Sequence, residues 1–214
     1  VSSCDSSYRA SWLPASSSSS PSLSGERVVL HADMDCFFVS AVLASQGEAA
    51  SHLRENLCEG PEKKIVPVAV AHSRGNSGRD SHIAIAEISS CNYSARRKGV
   101  KAGWPTNRAL AVCPDLTVLD YDFAAYDRVI PRIYEVLLSF GERYLLHGEN
   151  TLSNVCQVQI VSVDEAYLEL PAGSDGAAAA RELSARVMEV TGCRVSVGVG
   201  ANKLLARLAT KYAK

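Results

Sequence analysis

The 214-residue chain carries no excess of either charge: 22 lysines and arginines against 23 aspartates and glutamates leave a formal net charge of −1. The broad basic surface of a chain that grips nucleic acid everywhere is therefore missing, and any such contact has to be local. No apolar run reaches membrane-spanning length. The N-terminus is rich in serine rather than apolar residues, so it does not read as a secretory signal. Seven cysteines (Cys4, Cys36, Cys58, Cys91, Cys113, Cys156, Cys193) include no C-x-x-C pair and no regular spacing. That odd count without a framework points to reduced thiols of the cytosol or nucleus rather than to disulfides or zinc. A soluble intracellular protein is the expectation, with one or two domains and enough chain for an adequate core.

What is present is organised unevenly. Residues 1–26 are dominated by serine, with the run Ser16 to Ser20 before Pro21. Such a stretch buries too little apolar surface to offset its ordering entropy and is read as disordered. Order is expected from Arg27, with a strand through Ala32 and a helix from Phe37 towards Asn56. Val66 to Ala71 reads as a buried strand, Ser73 to His82 as a polar loop, and Asn92 to Gly99 as a short helix stopped by glycine. Thr106 is placed as the N-cap of a helix through Val112. Another helix runs from Asp122 towards Phe140, with Pro131 expected to kink or restart it, and Phe140 to Val155 reads as a polar loop. Two β-like runs, Cys156 to Val163 and Tyr167 to Leu170, suggest a hairpin. A helix over Gly176 to Thr191, a strand over Cys193 to Val199 and a last helix to Lys214 complete the chain. Mixed order with strands that read as antiparallel gives the α+β class.

Two acidic clusters sit at the ends of β-like runs far apart in sequence: Asp33-Met34-Asp35 and Asp164-Glu165. Acid pairs beside turns are common, and either cluster alone is weak. Together they say more, because burying either without cations is costly. If the two strands are neighbours, three or four carboxylates gather around one point, as a site for two magnesium ions requires. Period-2 geometry puts Asp33 and Asp35 on one side, with the Met34 carbonyl between them. Tyr93 and Arg96 lie three residues apart and share a helix face, where an arginine fork can take phosphate oxygens. Lys203, Arg207, Lys211 and Lys214, spaced by four, four and three, line one side of the last helix. They are either a solvated face or a contact for polyphosphate or a nucleic-acid backbone. Phe37 and Phe38 follow the first acids; Phe37 is expected in the core, and a ring at this place can lie under a sugar.

In combination these segments resemble the Y-family DNA polymerases, the enzymes of translesion synthesis. The resemblance rests on four motifs in the family's order. They are His31 to Ser40, Ser89 to Arg96 with Gly99 to Gly103, Ser162 to Glu165, and Ser196 to Ala206. Within the family, Cys36 to Ser40, Ala86 to Ser90 and Tyr121 to Tyr126 are most similar to the REV-one deoxycytidyl transferase branch. The resemblance implies a palm (27–37 and 121–214) and fingers (38–120), without the thumb and little finger that family members carry further along. It implies Asp33, Asp164 and Glu165 as catalytic carboxylates, with the Met34 carbonyl completing the shell of two magnesium ions, manganese being an alternative. Asp35 matches a position that is not usually a ligand.

Phe38 would be the steric gate against ribonucleotides, with Phe37 beside it. Tyr93, Arg96 and Lys214 would hold the incoming triphosphate, assisted by Ser90. Lys203, Arg207 and Lys211 would lie on DNA. The implied partners are primer–template DNA, a deoxynucleoside triphosphate (dCTP in this branch), other translesion polymerases and the sliding clamp, in the nucleus and with no membrane. The branch's upstream arginine, which stands in for the template base, is matched only poorly by Arg9. Alternatives are a DinB-type bypass polymerase without cytosine preference and a non-catalytic scaffold of the same fold. The stretch Tyr144 to Val155 is longer than expected before the second palm strand and has no functional account.

Overall fold

A computed structural model describes residues 27–45, 66–72, 86–146 and 156–214. The serine-rich segment, the far half of the helix expected towards Asn56, the whole Ser73–His82 loop and residues 147–155 lie outside the described residues. Two sheets organise the rest. The first has the order β5-β6-β1-β7, formed by β1 (Val28–Met34), β5 (Gln157–Ile160), β6 (Glu165–Leu170) and β7 (Val195–Gly200), with every neighbouring pair antiparallel. Side chains alternate between its two faces. Leu30, Ala32 and Met34 join Ala166, Leu168, Leu170 and Val195 in the larger core. That core is closed by Val129, Ile133, Val136 and Phe140 of α4 (Phe123–Leu146) and by Ala179, Leu183 and Val187 of α5 (Gly176–Thr191). His31, Asp33, Glu165 and Tyr167 therefore point the other way, towards α6 (Lys203–Ala213), which lies on β7 and β1.

The second sheet has the order β3-β2-β4: β2 (Val68–Ala71) runs antiparallel to β3 (Ile88–Cys91) and parallel to β4 (Thr117–Asp120). β2 is buried on both faces. Val68 and Val70 meet the larger core with α1 (Phe37–Ser45), and Ala69 and Ala71 meet a smaller one. The smaller core is roofed by Ala95 of α2 (Tyr93–Arg97) and Ala109 of α3 (Thr106–Val112). Asn92 ties α2 to β2. Its side-chain oxygen caps Ala95 N–H at 3.0 Å and accepts from Val68 N–H at 3.1 Å, while its amide donates to the Val66 carbonyl at 2.9 Å.

Four expectations are corrected. β1 continues two residues past Ala32, so Asp33 and Met34 are paired strand residues rather than loop. Pro105, not Thr106, is the N-cap of α3; the Thr106 hydroxyl instead donates to the Ala86 carbonyl at 2.6 Å, linking the helix start to the segment that leads into β3. β4 was not anticipated, being only four residues long and partly exposed. The loop expected from Phe140 is helix as far as Leu146, since α4 runs unbroken through Pro131 and Gly141. Pro131 is on the exposed side, where solvent can reach the carbonyl it leaves without a donor. Gly141 is not a stop but a close approach, since a Cβ there would stand 2.9 Å from the Val158 side chain of β5.

Candidate active site

The strand register brings the two acidic clusters together. Asp33 on β1 is the direct partner of Glu165, the first residue of β6, and Met34 N–H donates to the Asp164 carbonyl at 2.9 Å. Asp33 and Glu165 thus share one face of the sheet, and Asp164 stands at the turn beside them. Their side chains do not close on a common point: among the described residues no three His, Cys, Asp or Glu side chains form a metal-holding group. Each carboxylate has a different companion. Asp33 Oδ1 accepts from Lys214 Nζ at 2.6 Å, and Asp164 Oδ1 from the Ser162 hydroxyl at 2.6 Å. Glu165 Oε1 lies 2.6 Å from His31 Nε2 and 3.2 Å from the Arg207 guanidinium. The oxygen donors of Asp33, Asp164, Glu165 and the Met34 carbonyl remain a chemically uniform hard set, which suits magnesium.

Asp35 faces elsewhere. It is buried, its Oδ1 accepts from the Ser196 hydroxyl of β7 at 2.8 Å, and Lys214 Nζ is 4.0 Å away. Its N–H donates to the Arg194 carbonyl and its carbonyl accepts from the Ser40 hydroxyl, fixing the turn from β1 into α1. Tyr93 approaches the same carboxylate from α2. Burial, then the Asp35 charge, pushes its phenol well above the ordinary tyrosine range, and the hydroxyl is buried beside that carboxylate. Arg96 lies over the Tyr93 ring at 5.3 Å, as the three-residue spacing predicts, with its Nε donating to the Cys91 carbonyl at 3.0 Å. Ser90 is buried on β3, paired with Val70.

Phe37 is 2% exposed, with its ring tilted against Tyr126, so it packs in the core and backs Phe38 rather than lining an open surface. Phe38 is only partly buried and is held edge-on by Tyr121 at 5.8 Å and Tyr126 at 5.1 Å. The basic row on α6 is oriented in a way neither reading anticipated. Lys203 bonds Gln159 and sits 5.6 Å from the Tyr167 ring, and Arg207 and Lys214 reach the acids. Lys211 is exposed. This inward turn requires α6 to lie almost on the β7 backbone. A Cβ on Gly198 would meet the Ala206 carbonyl oxygen at 2.2 Å and Thr210 N at 2.3 Å, so only glycine fits. His31, Ser196 and Thr210, which contact these groups, were not singled out from sequence. The available signal was parity: His31 is two residues before Asp33 and must share its face.

The sequence model of the impB/mucB/samB family matches residues 32–211. The chain is 38% identical over 192 residues to "DNA repair protein rev1" of Schizosaccharomyces pombe, covering 88% of this chain and 17% of that protein. It is 32% identical over 192 residues to "DNA polymerase IV" of Aeromonas hydrophila subsp. hydrophila, covering 88% and 45%. Among solved structures, an insertion ternary complex of Dbh DNA polymerase superposes with a TM-score of 0.64 at 23% identity, covering 87% of this chain and 46% of that one. That likeness concerns the fold alone. The chain spans less than half the length of these curated relatives.

Proposed function

This chain belongs to the impB/mucB/samB family of Y-family polymerases, and from that premise we propose that it is the catalytic core of a translesion DNA polymerase, adding deoxynucleotides to a primer 3′ end. The observation that carries the reading is the pairing of Asp33 with Glu165, with Asp164 one bond from Met34. Asp33, Asp164, Glu165 and the Met34 carbonyl would hold two magnesium ions, or manganese. When bound there, such ions hold the attacking and leaving oxygens and neutralise developing charge.

The chain's own residues have separate tasks. Tyr93 and Arg96 on one face of α2, with Lys214 from the end of α6, grip the triphosphate, and Ser90 assists. Phe38, braced by Tyr121, Tyr126 and Phe37, lies under the sugar and leaves no room for a 2′-hydroxyl. Exposed Lys211 contacts the DNA backbone, joined by Lys203 and Arg207 once they are released from Gln159 and Glu165. The primer 3′-hydroxyl attacks the α-phosphate and pyrophosphate leaves. Positioning and charge neutralisation supply most of the rate. Residues 27–37 and 121–214 form the palm and 38–120 the fingers, a division supported by the two sheets, although α1 straddles both.

Relatives named rev1 in fission yeast and Arabidopsis thaliana, at 38% and 37% identity, support a preference for dCTP and a nuclear setting with other translesion polymerases and the clamp. The polymerase IV relatives at 32% support the alternative without cytosine preference. One assay on the full-length protein tests both. Asp164→Ala with Glu165→Ala is expected to lower incorporation more than about 100-fold while the chain still folds cooperatively. Unaltered incorporation rejects the site, and absence of incorporation by the wild type itself leaves the scaffold reading; equal use of four nucleotides opposite each base and abasic sites rejects cytosine preference.

A further inference from the structure

We propose that His31 and Thr210 are positioning residues for Glu165, holding its carboxylate so that Oε1 faces the protein and Oε2 faces a divalent cation; this rests on the cation role proposed above. His31 is 1% exposed, yet both ring nitrogens are engaged, Nε2 to Glu165 Oε1 at 2.6 Å and Nδ1 to Thr210 Oγ1 at 2.8 Å. An ionised carboxylate only accepts, so Nε2 carries the hydrogen and donates it. The Thr210 hydroxyl, buried with it, meets Nδ1 and also lies 3.0 Å from the backbone carbonyls of His31 and Ala206, so the ring is anchored on its far side to the strand and the helix together. Thr210 therefore holds the ring so that Nε2 stays aimed at Glu165.

The ring cannot easily turn away. It is tilted against Tyr167, its partner across the β1–β6 ladder, with centroids 4.6 Å apart. Arg207 falls on the same carboxylate oxygen as His31. Arg207 leaves for DNA in the working state proposed above, so the lasting contact on Oε1 is that of His31, and the other oxygen is the one offered outward. The chain of contacts depends on the close seating of α6 against Gly198, since that seating is what brings Thr210 to β1. Partners that orient a metal ligand from behind typically change metal affinity by about 10- to 100-fold when removed. A histidine serving only as core filling would change stability and leave metal affinity alone.

The experiment is a Mn²⁺ titration of the purified chain followed by electron paramagnetic resonance, with metal-free thermal melts of every variant. His31→Leu is expected to weaken Mn²⁺ binding about 10- to 100-fold, and Thr210→Val to weaken it less in the same direction. His31→Gln should recover most of the affinity, since its amide N–H can donate to Glu165 in place of Nε2. Wild-type affinity in His31→Leu, or no recovery in His31→Gln, overturns the proposal. If His31→Leu does not fold, unaltered affinity in Thr210→Val overturns it instead. Glu165→Gln separates the two readings. If that variant binds Mn²⁺ like wild type, the cation role of Glu165 itself fails and takes the positioning role with it. If it binds weakly while His31→Leu does not, only the positioning role fails.

Discussion

Cys36 is the one non-glycine residue in the left-handed region among the described residues, with φ of 49°. A residue with a Cβ pays for this geometry by about 1–2 kcal/mol, and the hydrogen bonds on either side of Asp35 hold it there. The thiol is buried, and burial first, then the nearby Asp35 charge, pushes its pKa from the ordinary 9.0 up to about 11. Cys156 is raised to about 11 in the same way, by burial and then Glu169. A raised thiol keeps its proton in the folded chain after the unfolded chain has lost it. The stability this contributes is complete below the unfolded value and is lost as pH rises through the folded one. Urea midpoints are therefore expected to fall between pH 9.0 and about 11, and iodoacetamide should label both thiols slowly near pH 8. A flat urea profile over that window would contradict this. The irregular cysteine spacing offers no disulfide framework, and the five described cysteines form no disulfide with one another. Their burial is not legible there, because it is set by strands and helices from distant parts of the chain.

At the scale of elements, α6 and β7 are joined by the tightest contact in the site. Gly198→Ala would place a methyl group against two backbone atoms of α6, neither of which can rotate aside. The helix must lift, at a cost of about 1–3 kcal/mol or more, and Arg207 and Lys214 lift with it. Urea denaturation should register the loss, and a stability equal to wild type would mean that α6 is not seated as described. The long amphipathic helices were readable from periodicity and caps: α5 begins at Asp175, whose side chain accepts from Ala178 N–H at 2.9 Å, and ends at Gly192. Errors came where a residue type has two uses. Gly141 signals a stop in isolation but serves close packing on β5, and Thr106 signals a cap but bonds the Ala86 carbonyl.

Across the whole molecule the two cores are unequal. The larger is filled by leucine, valine and phenylalanine from α1, α4, α5 and the four-stranded sheet; the smaller has four alanines among its nine buried residues. Small side chains bury less apolar area, so β2–β4 with α2 and α3 should open more readily than the four-stranded sheet. Hydrogen exchange read by mass spectrometry is expected to show amides of β3 and α3 exchanging before those of β1 and β6; the reverse order would refute this ranking. The α+β class and the acid motifs were legible in the chain. The sheet order was not, because β1 sits between two strands that follow it by more than 130 residues, and no local pattern names such partners.

The antiparallel ladder that pairs Asp33 with Glu165 also pairs Leu30 with Leu168. One alignment therefore serves two purposes, and a slip of a single residue reverses both. It would turn the carboxylates inward among apolar helices and expose leucines where the acids had been. Misaligned chains cannot persist as folded but inert molecules with the acids merely displaced; they lose their interior as well. A population of this protein that is fully folded is, by the same token, a population with its acids aligned.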